Sequence, residues 1–155
     1  MEIRMARPED IPGLTDLLLQ VGEVHHKIRP DLFRAGAQKY DEKALTEILK
    51  DPNRPIFAAV EDGRLLGYCF CVLEITRDNP VLMDQKSLYI DDLCVDENVR
   101  GKHVGARLYD FAMDYARKIG CDSLTLNVWC GNDSAMKFYE SRGLKQRNIH
   151  MEARL

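Results

Sequence analysis

The chain has 155 residues, of which 45% are hydrophobic and 30% charged, with a formal net charge of −3. That length suits one domain with a single sizeable core, and the balance is ordinary for a globular protein. The acidic balance argues against a general nucleic-acid binder, which carries a strong basic excess.

Residues 3–6 read as a short strand. Pro8 suits the first turn of a helix, whose apolar face is then marked by Ile11, Leu14, Leu17, Leu18 and Val21. Gly22 weakens that helix, and the stretch G-E-V-H-H-K-I-R-P-D-L-F is expected to be irregular or kinked, ending near Pro30. Asp41 is a good N-cap for a second helix that buries Ala44, Leu45, Ile48 and Leu49. Residues 56–60 form an apolar strand, and Asp62-Gly63 signals a hairpin. Its partner strand runs over 65–74, with Leu66, Tyr68, Phe70 and Val72 expected on one face and Cys69 and Cys71, as small buried groups, on the other.

Residues 87–119 hold the most informative stretch. A strand, S-L-Y-I-D-D-L-C-V, passes through a basic, glycine-bearing turn, D-E-N-V-R-G-K-H-V-G-A, into a helix striped by Val104, Leu108, Phe111, Ala112, Tyr115, Ala116 and Ile119 and closed by Gly120. Backbone N–H groups left unpaired at such a helix start, with the positive end of its dipole behind them, suit a phosphate or pyrophosphate. Residues 123–128 read as a further strand, and Asn132 caps a helix over 133–142 that stops at Gly143. Ile149, Met151, Ala153 and Leu155 alternate with His150, Glu152 and Arg154, which predicts a half-buried closing strand. The order β-α-α-β-β-β-α-β-α-β implies a mixed sheet in a three-layer α/β sandwich, antiparallel in its first half and partly parallel.

Five cysteines without a C-x-x-C pair, and an opening M-E-I-R-M-A-R-P-E-D without an apolar h-region, suggest reduced thiols in a cytoplasmic protein. No apolar run reaches the ~20 residues that span a bilayer, so no membrane partner is expected. The four histidines fall at no metal-ligand spacing, so no metal is expected.

The turn R-G-K-H-V-G is neither a Walker A loop nor a G-x-G-x-x-G fingerprint. One strand later comes N-D-S-A-M-K-F-Y-E-S-R-G-L. Taken in order, L-C-V, R-G-K-H-V-G and N-D-S-A-M-K-F-Y-E-S-R-G-L resemble the signature of the GNAT superfamily of acyl-CoA-dependent N-acetyltransferases, and the element order matches that fold over nearly the whole chain. The resemblance implies a single N-acetyltransferase domain over 1–155 with a splayed central sheet. It implies an acetyl-CoA co-substrate whose pyrophosphate lies on Arg100, Gly101, Lys102, His103, Val104 and Gly105, with Ala106 a further cofactor-binding residue. Pantetheine would pair with the backbone of Leu93, Cys94 and Val95, and Asn132, Ala135 and Tyr139 would flank the thiol end. His103 departs from the glycine often found there; if its φ is positive, histidine tolerates this better than most residues.

The same resemblance implies acetyl transfer by direct attack of a primary amine in a ternary complex. Asp91 would act as base through a water, and Tyr139 as general acid for the leaving thiolate. Strand alternation sends Asp91 and Asp92 to opposite faces, so one of them alone would face a given cleft. The acceptor pocket is expected along residues 24–40 and 77–86, with His25 and His26 as candidate lining residues. Asp84, Asp91 and Asp92 hint at a cationic amine. A homodimer is compatible with these features. The alternative is a non-catalytic acyl-CoA-binding module of the same fold.

Overall fold

The computed structural model describes residues 1–99 and 102–155. Strand β1 (Glu2–Met5) leads through a 3-10 turn (Pro8–Asp10) into α1 (Ile11–Ile28) and then α2 (Glu42–Ile48). Three strands follow, β2 (Ile56–Glu61), β3 (Arg64–Thr76) and β4 (Gln85–Val95). A second 3-10 turn (Glu97–Val99), α3 (Val104–Lys118), β5 (Ser123–Leu126) and α4 (Asp133–Ser141) complete the elements. The sheet order is β1-β2-β3-β4-β5. Parallel pairing is confined to β4 and β5; β1 and β2 pair antiparallel although two helices join them.

The sheet separates two cores. Leu14, Leu17, Leu18, Leu45 and Ile48 of α1 and α2 pack on Ile56, Tyr68, Phe70 and Cys94. On the other face, Val104, Leu108, Tyr109, Ala112 and Ala116 of α3 pack on Phe57, Ala59, Cys69, Cys71, Leu88 and Ile90, with Phe138 and Tyr139 of α4 at the margin. This is the expected three-layer sandwich. Several local signals act as read: the Asp41 carboxylate accepts the Ala44 N–H at 2.8 Å, and Asp62 and Gly63 both have positive φ (50° and 76°), as a tight hairpin of primed type needs.

Three expectations are corrected. Helix α1 continues through Gly22 to Ile28. The glycine is there for clearance, since a Cβ on it would lie 2.3 Å from the Ala37 carbonyl oxygen. Gly22→Ala should therefore destabilise the protein, by about 1–3 kcal/mol from overpacking, even though alanine is the better helix former. The midpoint of urea unfolding measures this, and an equal or higher midpoint refutes it.

Second, Leu66 joins Cys69 and Cys71 on the α3 face. The β2–β3 register slips there, pairing Ala59 with Gly67 and Val60 with Leu65, so Leu66 is an extra residue and the alternation reverses across it. Third, no closing strand forms: residues 145–155 are exposed and have no ladder partner among the described residues. Alternating apolar residues become a strand only when another strand offers its edge, and none lies beside them.

Candidate active site

A second register slip builds the site. Phe70 of β3 pairs with Asp92 and Cys71 pairs with Ile90, which leaves Asp91 as an unpaired extra residue in β4. The bulge overturns the expectation that the two aspartates diverge. Both turn to the α1–α2 face: Asp92 Oδ2 accepts the Tyr68 hydroxyl at 2.8 Å, and Asp91 accepts Lys39 Nζ at 2.7 Å and the Tyr40 hydroxyl at 3.0 Å. A bulge puts two successive side chains on one side of a strand, here two carboxylates.

The same point is where the sheet opens. β5 pairs with β4 only from Ser87 to Ile90, ending at Leu126. Beyond it, Leu93, Cys94 and Val95 pair with β3 alone, and their other edge meets no strand among the described residues. The sheet is thus splayed, as the fold class requires. Leu93 and Val95 point to the α3 face, whereas the Cys94 side chain is buried on the α1 side.

Aromatic and charged groups from three further segments close around the carboxylates. Tyr40 stacks on Phe70 at 5.6 Å and receives the Arg54 guanidinium at 2.9 Å on its hydroxyl. Just after β5, Asn127 donates to the Tyr89 hydroxyl at 3.1 Å. His25 on α1 lies 5.0 Å from the Phe33 ring, which meets Trp129 edge-on at 5.2 Å. His26 Nδ1 donates to the Phe33 carbonyl at 2.6 Å, so it braces the loop that presents Phe33. Asp84 stays within its own loop, accepting the Asp78 N–H at 3.0 Å.

Burial raises the Asp92 carboxyl above its ordinary range, and the negative charge of Asp91 adds to this; the Tyr68 hydroxyl and the positive charges of His25 and Lys39 oppose it. Burial likewise lowers the Lys39 ammonium, but Asp91 outweighs it and the net shift is upward. On the α3 side of the sheet, Tyr139 packs on Phe138 at 5.0 Å and Tyr109 at 6.2 Å. Its phenol is pushed far up, first by burial and then by the charges of Cys69 and Asp92. Its hydroxyl makes no hydrogen bond among the described residues.

Just after β4, Asp96 is 5% exposed and accepts both the backbone N–H and the side-chain amide of Asn98, at 3.0 and 2.9 Å, together with the Arg64 guanidinium. Those bonds, the Asn98 N–H first, hold its carboxyl below the ordinary range. Arg100 and Gly101 lie outside the described residues. His103 precedes α3 with φ 59° and ψ 18°, the left-handed conformation that histidine tolerates better than most residues, and its carbonyl accepts the Arg107 N–H at 3.0 Å. Gly105 sits in the first turn with Val95, Leu93 and Phe138 at 3.4–3.9 Å from where a Cβ would be. Asn132 caps α4, accepting the Ala135 N–H at 3.2 Å and the Ser134 hydroxyl at 3.1 Å.

Phe33, Lys39 and Tyr40 lie within the segment 24–40 expected to line the acceptor pocket but were not singled out there, and Tyr68, Tyr89, Asn127 and Trp129 lie outside both expected segments. They belong to no motif, and only the bulge and the packing of the 29–40 segment over β4 bring them together.

A splayed five-stranded mixed sheet between two helical layers is the acyl-CoA N-acyltransferase fold. The chain belongs to the acetyltransferase (GNAT) family, whose profile matches residues 22–144. It is 30% identical over 149 residues to the uncharacterized N-acetyltransferase YhfO of Bacillus subtilis (strain 168), covering 94% of this chain and 91% of that protein. The glucosamine 6-phosphate N-acetyltransferase of Arabidopsis thaliana is 29% identical over 97 residues, 54% of this chain and 63% of that enzyme. The crystal structure of a mutant BH1408 protein from Bacillus halodurans superposes with a TM-score of 0.95 at 29% identity, covering 100% of this chain and 99% of that one. This protein is thus an acetyltransferase.

Proposed function

We propose that the protein transfers an acetyl group from acetyl-CoA to a cationic primary amine bound on the Asp91–Asp92 face. One observation carries the reading: the bulge presents two carboxylates side by side where β4 parts from β5. Pantetheine lies along the backbone of Leu93, Cys94 and Val95. The pyrophosphate rests on the turn formed by Arg100, Gly101, Lys102, His103, Val104, Gly105 and Ala106. Asn132 and Ala135 flank the thiol end. The likeness to an aminoglycoside N-acetyltransferase solved with CoA (TM-score 0.71, 17% identity) supports the fold of that cleft.

The chemistry follows from the groups present. A lysine-type amine is neutral only about one part in 2,500 at pH 7, so its proton must leave before attack. Asp91 takes it through a water, the amine attacks the thioester carbonyl, and a backbone N–H near Leu93 stabilises the developing oxyanion. The C–S bond then breaks, and Tyr139 protonates the thiolate. The aromatic walls from Tyr40, Phe33 and Trp129 suit a cation, whose charge is attracted to ring faces.

Lys39 supports the assignment of a cationic acceptor. Its ammonium sits on Asp91 and 5.5 Å from the Tyr40 ring centre, the seat that a substrate ammonium would take. Lys39→Met should lower KM for a cationic amine about five-fold, the equivalent of a partly exposed ion pair of about 1 kcal/mol, with little change in kcat. A raised KM would instead make Lys39 part of the binding site. The activity itself is tested by CoA-thiol release from acetyl-CoA over a panel of amines, alongside a CoA titration. Tight CoA binding with no turnover on any amine defeats the reading.

A further inference from the structure

Lys39 occupies the seat proposed above for a substrate ammonium. Its Nζ lies 2.7 Å from Asp91 Oδ1, although the two residues are 52 positions apart in the chain, and 5.5 Å from the centre of the Tyr40 ring. The other lysine–carboxylate pair among the described residues, Lys50 with Glu47 at 2.8 Å, is a surface pair three positions apart. Lys39 is not the anchor of its own segment. Residues 29–41 form neither helix nor strand, and Tyr40 ties them down: it stacks on Phe70 at 5.6 Å, donates to Asp91 at 3.0 Å and accepts from Arg54 at 2.9 Å. The lysine side chain is 46% exposed over a carboxylate that is 16% exposed, so it can turn on its flexible stem without moving the backbone.

An amine held against the base of an amine acetyltransferase is itself an acceptor. We propose that each chain acetylates its own Lys39 and that the modification frees Asp91 for the external amine; the inference rests on the acetyl-transfer reading above, with Asp91 as base. Asp91 is two residues from Leu93, along whose backbone that reading lays pantetheine. In the step, a bond forms between Lys39 Nζ and the thioester carbonyl carbon, and the C–S bond breaks. The nitrogen gives up two protons. One leaves through Asp91 to solvent, and the other balances the proton taken up by the departing thiolate, so the products are acetyl-lysine, the CoA thiol and one proton. Amine and base already touch within one chain, which favours this lysine over those that meet acetyl-CoA only by collision. Burial lowers the ammonium and Asp91 raises it by more, so little neutral amine is present and the step is slow beside turnover. Once made, the amide carries no charge, and its hold on Asp91 is lost.

The test is incubation of the native protein with acetyl-CoA and no added amine, followed by peptide mass mapping. CoA-thiol release over the amine panel is measured on the same preparation. Lys39 should gain one acetyl group well ahead of Lys50, whose labelling records chemical acetylation, and the time course should not change when the protein is diluted. Asp91→Asn should slow labelling of Lys39 by about 10²-fold or more and leave that of Lys50 unchanged. The acetylated protein should share the KM of Lys39→Met, about five-fold below that of the unmodified chain for a cationic amine. The proposal is overturned by Lys39 labelled no faster than Lys50, by a time course that slows on dilution, by undiminished labelling in Asp91→Asn, or by an acetylated protein with unchanged KM. Turnover of an amine while Lys39 stays bare sinks this inference alone. A bare Lys39 with no turnover on any amine sinks the acetyl-transfer reading along with it.

Discussion

Replacing Tyr139 with phenylalanine is expected to lower kcat roughly 10²-fold or more while leaving the fold intact. The ring contacts with Phe138 and Tyr109 survive the change. The hydroxyl has no hydrogen-bond partner among the described residues, so its removal leaves no donor or acceptor stranded, and the thermal midpoint should hold or rise slightly. The loss would therefore belong to chemistry. Because burial and the charges of Cys69 and Asp92 push the phenol above its ordinary value of 10.0, Tyr139 keeps its proton throughout the neutral and mildly alkaline range. It follows that kcat should show no alkaline decline from this group below about pH 10. A matched control is Tyr109→Phe, whose buried hydroxyl also lacks a partner but borders Asp110 and Arg142 away from the gap. That variant should keep native kcat. If Tyr139→Phe also keeps native kcat, Tyr139 is not the acid.

The contrast between these two tyrosines shows what the sequence could convey. The segment containing Tyr139 was legible because its helix carries a cap at Asn132, a stop at Gly143 and a motif between them, all local chemistry. The hairpin at Asp62-Gly63 and the cap at Asp41 were legible for the same reason. The shape of the site was not, because it depends on a bulge at Asp91 that no glycine or proline announces. The Asp91 bulge arises from the fit of β4 to β3, and it alone decides whether two adjacent aspartates share a face. Gly22 misled for a related reason. Its role is clearance for a carbonyl at Ala37, outside any helical window. Lys39 and Tyr40 reach Asp91 across about fifty residues of chain, a contact that periodicity cannot foresee. Residues 145–155 show the converse: the alternation is present as a pattern, but no strand pairs with it among the described residues.

The paired carboxylates lead to the second large expected effect. If Asp91 is the base, Asp91→Asn should lower kcat/KM for a cationic amine by about 10²–10⁴-fold and abolish the acid limb of its pH profile. Asp92→Asn should keep that limb and lose less, because Asp92 would act by holding Tyr68 and by adding negative charge beside the amine. The alternative outcome is equally readable. Burial raises the Asp92 carboxyl, so if Asp92 takes the proton, the limb will sit above the ordinary carboxylate range and vanish in Asp92→Asn instead. Stability gives an independent check on the sign. A carboxyl whose folded pKa is raised binds its proton more tightly in the native state, so its ionisation opposes folding at neutral pH. That penalty fades as pH falls through the raised value and is gone below the unfolded value of about 4. Asp92→Asn keeps a side chain of the same shape that can accept the Tyr68 hydroxyl without bearing a charge. It should therefore make unfolding free energy less dependent on pH across this window, with most of the gain at neutral pH. Equal pH dependence in the native and Asp92→Asn proteins would show that Asp92 is solvated in the folded state, and would return the proton to Asp91 alone.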